Sequence, residues 1–167
     1  FQIAGLRFFE MEDRNHIKVN FKNGTLHIMG SGELEFKYHN PEDGLRYMLN
    51  FDYLPREDAP VFREYLTRVL PNQCKQLPLA EFIGYAFSDL KLEKCLVLYG
   101  TGANGKSVFF DLVIALLGNE NISNYSLQSL TDGSGYSRAN LSGKLINYAS
   151  ELSPKMNTSF FKMLVSG

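Results

Sequence analysis

No stretch of this 167-residue chain comes near the roughly 18 consecutive apolar residues that a membrane-spanning helix needs, so a span of that kind is excluded. Cysteine is scarce: Cys74 and Cys95 are the only two. Thiols so far apart predict buried, reduced side chains rather than a bridge. With His16, His27 and His39 they lack any close metal-ligand spacing. An excess of basic charge is also missing, since 17 Lys and Arg face 18 Asp and Glu. Residues 1–94 hold 12 basic and 14 acidic side chains, and residues 95–167 hold five and four. No basic patch points to nucleic acid, so a DNA-binding surface has to be local, shared across subunits or outside this chain. The opening FQIAGLRFFE has one Arg, no long apolar core and no small-residue cleavage site. It predicts no signal peptide, which leaves the cytoplasm as the expected compartment.

What is present is an ordinary globular composition, 44% hydrophobic and 21% charged, enough for one domain or a small domain plus part of another. The chain is organised around Lys94 to Gly118, KCLVLYGTGANGKSVFFDLVIALLG. Cys95 to Tyr99 is a short apolar run with the length of a buried strand. The next eight residues, Gly100, Thr101, Gly102, Ala103, Asn104, Gly105, Lys106 and Ser107, fit G-x-x-x-x-G-K-[ST] at every fixed position. Val108, Phe109, Leu112, Val113, Leu116 and Leu117 then recur at helical spacing, and Gly118 is placed to end the helix.

The spelling has a chemical reason. Glycines let the backbone curl and point its N–H groups at phosphate oxygens, and the helix start adds its positive dipole end. Lys106 supplies a point charge for the β- and γ-phosphates of ATP, and Ser107 a hydroxyl for Mg²⁺.

Taken in order, Ile17–Phe21 and Thr25–Met29 flank Asn23-Gly24, a strong hairpin signal, and Leu34–His39 reads as a third strand. Phe21, Phe36 and Tyr38 read as the apolar side of this meander rather than a base-stacking platform. A short strand is expected within residues 45–54. Asp58 and Pro60 resemble an N-cap and an early helical proline. Phe62, Tyr65, Leu66, Val69 and Leu70 share one face of the helix that follows. A second helix is expected from about Leu79 to Phe87, started or kinked by Pro78. A polar, glycine-rich interval covers residues 119–143, with a possible strand near residues 122–125. Leu145 to Ser150 is a second β-like run, and it ends in Glu151, an acid placed to polarise water or hold the Mg²⁺ shell. A last helix begins at Thr158.

LYGTGANGKS followed by LINYASEL resembles the ATPase core of superfamily III (AAA+) helicases, in the phage and plasmid primase–helicase branch shared with poxvirus primase–helicases. Asn104 to Ser107 has the ending typical of that branch. NGTLHI, Asp52-Tyr53 and FIGYAF at residues 82–87 are similar to the helical domain that precedes such motors. The resemblance covers about residues 17–167. It implies an α/β P-loop NTPase, AAA+-like and incomplete, preceded by a small α+β and helical domain. Its boundaries would be 1–58 for the β-meander, 59–90 for the helical part and 91–167 for the ATPase core. It further implies a homo-oligomeric ring, usually a hexamer, that hydrolyses ATP between subunits and moves along DNA. Gly100 to Ser107 would bind Mg²⁺–ATP, and Glu151 would be the Walker B acid. Many relatives carry an acid just before that Glu, where this chain has Ser150. The DNA-contacting hairpin, polar sensor and arginine finger of such motors are expected beyond residue 167, and no primase domain is seen. A fragment of this kind would bind nucleotide without unwinding DNA alone. Two other readings stay open. One is a small-molecule kinase, against which the single basic residue of 119–143, Arg138, argues. The other is a docking module without catalysis.

Overall fold

The Asn-Gly hairpin sets the start of the fold. β1 (Ile17–Phe21), β2 (Gly24–Ile28) and β3 (Leu34–Lys37) make an antiparallel meander in that order. The computed structural model describes residues 16–55, 57–88, 93–100, 104–152 and 155–166. The turn itself is Lys22-Asn23, because Gly24 pairs with Phe21 inside the ladder. Glycine is required there: a Cβ would lie 2.5 Å from the Lys37 carbonyl oxygen and 2.7 Å from the Phe36 ring. Asn23 is thereby free to reach Tyr53. Its Oδ1 accepts from Tyr53 N–H at 2.8 Å, and its Nδ2 donates to Tyr53 O at 3.2 Å.

The strand expected within residues 45–54 does not form a ladder. That segment straps the β1 edge through single bonds: Leu49 N–H to Asn20 O at 2.8 Å, Lys22 N–H to Phe51 O at 3.0 Å and Tyr47 Oη to Lys18 O at 2.8 Å. Pairing through side chains and isolated backbone groups replaces the regular alternation of a strand. The aromatic face divides. Phe21 is buried beside Phe51 and Tyr53, Phe36 touches Tyr53, and Tyr38 stands 93% exposed beyond β3.

α1 (Pro60–Val69) has Pro60 at its first position, where a missing N–H costs nothing. Its N-cap is Ala59. Asp58 lies one residue too early to cap, and its carboxylate takes the Ala59 N–H at 2.8 Å and the Arg63 guanidinium instead. Phe62, Tyr65, Leu66, Val69 and Leu70 are half-buried along one side, as their spacing predicts. α2 (Gln73–Tyr85) begins at Gln73 rather than at Leu79, because Asn72 caps it by accepting from Cys74 N–H at 2.9 Å. Pro78 therefore sits inside the helix. Both cysteines are free, and Cys74 is exposed, which corrects the expectation of two buried thiols.

Cys95–Tyr99 also departs from expectation. Leu96 and Leu98 are half-buried against the core while Val97 and Tyr99 are exposed, the two-residue alternation of a strand. Yet no neighbouring strand pairs with this segment among the described residues. Side-chain burial follows from the sequence, whereas a ladder needs a second chain segment alongside. α3 (Lys106–Leu117) follows the loop, buries Phe109, Val113 and Leu117, and ends at Gly118, whose N–H bonds Ile114 O at 2.8 Å. Val108 is exposed rather than part of the apolar face.

β4 (Ile122–Ser123) pairs in parallel with β5 (Ile146–Asn147). Short helices α4 (Leu127–Leu130) and α5 (Tyr136–Ala139) occupy the polar interval between them, and α6 (Thr158–Ser166) starts where expected. Two buried amides stabilise this region. Asn147 Oδ1 accepts from Ser123 Oγ and Tyr125 N–H, both at 2.9 Å, and its Nδ2 donates to Tyr125 O at 3.1 Å. Asn121 Nδ2 donates to Leu117 O at 2.6 Å and to Met48 O at 2.9 Å, tying the first strap to the end of α3. One apolar cluster contains Val19 and Leu26 of the meander, Leu79 of α2, Phe109, Val113 and Leu117 of α3, and Ile146 of β5. No helix among the described residues is long and apolar enough to cross a membrane.

Candidate functional site

The glycine-rich loop ends in a defined geometry. Gly105 has φ +83°, a left-handed value that favours glycine, and Lys106 is the first residue of α3. Among the described residues no side chain caps this helix, so its first N–H groups, at the positive dipole end, have no side-chain acceptor there. Lys106 Nζ donates to Asn104 Oδ1 at 2.7 Å and to Gly100 O at 3.2 Å. Gly100 is also tight: a Cβ there would lie 1.7 Å from Asn104 Nδ2. Gly100, Asn104, Gly105 and Lys106 are thus gathered in one cradle. Thr101, Gly102 and Ala103 lie outside the described residues.

Ser107 is exposed on the first turn of α3. Together with Lys106 it lines a cavity of about 200 Å³, shared with Leu96, Leu98, Tyr148 and Ser150. The stacked rings of Phe110 and Tyr148, 4.3 Å apart, hold the chain after β5 against the start of α3. The second expected site segment therefore meets the first. Glu151 itself is exposed at the end of that segment; Ser150 and Leu152 line the cavity on either side of it, and its own side chain does not. Among the described residues, no group of three or more His, Cys, Asp or Glu side chains could hold a metal ion.

Two features escaped the sequence reading. Tyr65 of α1 donates its hydroxyl to Gly105 O at 2.8 Å. In sequence it is one of five apolar-face positions, and nothing marks its hydroxyl. Arg138 is engaged rather than free: it donates to Leu130 O and Asp132 O and lies over the Phe160 ring at 4.7 Å.

A second cluster lies in the meander. His27 is buried, its Nδ1 2.9 Å from His16 Nε2 and its Nε2 3.8 Å from Asp43 Oδ2, while Lys18 binds Asp43 Oδ1 at 2.7 Å. Burial holds the His27 pKa below its ordinary value despite the pull of Asp43, with His16, Lys37 and Lys18 adding to the depression.

Comparison with known families gives two matches, each over less than half of the chain. Residues 98–167 match a family described as of unknown function, DUF5906. Residues 6–71 match a family described as D5 N terminal like. The second match supports a member of the phage and plasmid primase–helicase group and a replication-related role. No curated protein gave a match. The family matched across the loop carries no assigned function, so the chemistry there rests on the residues themselves.

Proposed function

We propose that residues 93–151 form the Mg²⁺–ATP site of an AAA+-type α/β P-loop NTPase. In this reading the chain serves DNA replication as the motor module of a phage- or plasmid-type primase–helicase. The observation that carries the reading is Lys106 at the first position of α3, directly behind Gly105, with its ammonium bonded to Gly100 O. The residues present fit a nucleotide. The Asn104 and Lys106 side chains fold against Gly100, α3 opens without a side-chain cap, and Lys106 can exchange two acceptors, Asn104 Oδ1 and Gly100 O, for phosphate oxygens. Ser107 would hold Mg²⁺, which would supply charge neutralisation, and Glu151, whose side chain lies outside the cavity in this structure, would have to turn toward it to share the ion. Glu151 is also the group to polarise the attacking water. DNA, a homo-oligomeric ring and a cytoplasmic setting complete the proposal. The kinase reading is weakened because Arg138, the basic residue available for a lid, is tied down by two carbonyls and a ring.

The test is equilibrium binding of a fluorescent ATP analogue with Mg²⁺. Lys106→Ala is expected to weaken it at least about 10- to 100-fold, the scale of a lost charge-assisted contact. Unchanged binding would sink the assignment. In a complete motor, Glu151→Gln should keep binding and lower DNA-stimulated turnover.

A further inference from the structure

We propose that Tyr65 is a positioning residue for the phosphate loop, its hydroxyl fixing the peptide plane through which Lys106 enters α3. The proposal rests on the nucleotide reading given above and assigns a role to a residue outside the loop motif. The Gly105 carbonyl accepts two bonds, from Phe109 N–H at 3.0 Å along the helix and from Tyr65 Oη at 2.8 Å across from α1. A carbonyl oxygen has two lone pairs, so both are used. In a trans peptide the N–H points opposite to the C=O. Holding the Gly105 oxygen toward α1 and the helix body therefore aims the Lys106 N–H the other way, out of the helix start and toward the loop. That N–H is one of the donors a phosphate at a helix N-terminus requires.

The packing around the bond supports the same role. A Cβ on Gly105 would lie 2.7 Å from Val69 Cγ1 and 3.4 Å from Tyr65 Oη, so α1 rests directly on the glycine. Burial raises the Tyr65 phenol above its ordinary pKa, which favours its neutral, hydrogen-donating form. The partners are 40 residues apart in sequence, so the contact ties the chain before the loop to the loop itself. Through it, movement of α1 would reach the phosphate-binding N–H groups without touching the nucleotide.

Tyr65→Phe removes the hydroxyl and keeps the ring, and Thr67→Ala on the exposed side of α1 is the control. Two measurements are made: binding of a fluorescent ATP analogue with Mg²⁺, and amide hydrogen exchange of residues 104–110 without nucleotide. Tyr65→Phe is expected to weaken binding about three- to tenfold, to speed exchange by a similar factor and to leave the melting temperature close to wild type. Thr67→Ala should change neither. Wild-type binding with Tyr65→Phe unchanged overturns the positioning role and leaves the nucleotide reading standing. Faster exchange with unchanged binding also overturns it, since the bond is then only structural. A wild-type chain that binds no nucleotide removes the nucleotide reading and this role together.

Discussion

Residues 16–53 are held mostly by their own groups: three strands pair, and the strap along β1 is clasped by Asn20, Asn23 and Tyr47, with Asn121 the outside amide on Met48 O. Residues 93–107 are arranged otherwise. Their apolar side chains are partly buried, but no strand lies beside them among the described residues. Lys106 Nζ joins Asn104 and Gly100, and among the described residues no side chain caps the start of α3. A segment selected for packing closes its own hydrogen bonds. Under the proposed function residues 93–107 hold an anion, which requires donors left open, and the surroundings then take over the task of shaping the segment. Tyr65 from α1 and the Phe110–Tyr148 stack do that here.

The contrast can be broken at three points. Asn147→Leu should have the largest effect, about 2–4 kcal/mol in urea unfolding, because Tyr125 N–H, Tyr125 O and Ser123 Oγ all lose a buried partner. A loss no greater than that of a surface change would mean the loop half tolerates open donors throughout. Gly24→Ala comes next, at about 1–3 kcal/mol by thermal melting, since the new methyl meets the Lys37 carbonyl in a ladder that has little room to shift. Little or no loss would show the meander to be looser than its bonds imply.

The smallest effect belongs to His27 and sharpens the comparison. Its folded pKa lies below the ordinary histidine value of about 6.5, so the unfolded chain binds the proton more readily. Stability is then full above that value and falls as pH drops below it. Melting curves from pH 7.5 to about 5 should show this loss, and His27→Asn should flatten it. A loss that persists in the variant would assign it to another group.

The sequence made the meander legible because alternation and an Asn-Gly pair are local signals, and the α1 face followed from helical spacing. Asn121 and Asn147 could not be read, since an amide announces no partner and theirs include groups up to 73 residues away. The start of α2 was hidden for the same reason that Pro78 misled. A proline reads as a helix start, while the Asn72 cap that sets the true start is a single side-chain bond. At the site, glycine, lysine and serine spacing is visible in one dimension. The strand alternation at residues 95–99 was visible too, but a ladder depends on what lies alongside. Tyr65 was visible only as one more apolar position.

Asn23 joins the hairpin to the strap, and the residue after it is Gly24. That pair is open to slow chemical ageing: the Gly24 nitrogen attacks the carboxamide, ammonia leaves, and water opens the ring to aspartate or isoaspartate. An aspartate still accepts from Tyr53 N–H but has nothing to donate to Tyr53 O, and it sets a negative charge against that oxygen. While the clasp is closed the amide is held in two bonds, and once converted it does not close again in the same way. The mass of one side chain thus becomes a record of how long each molecule has spent unclasped.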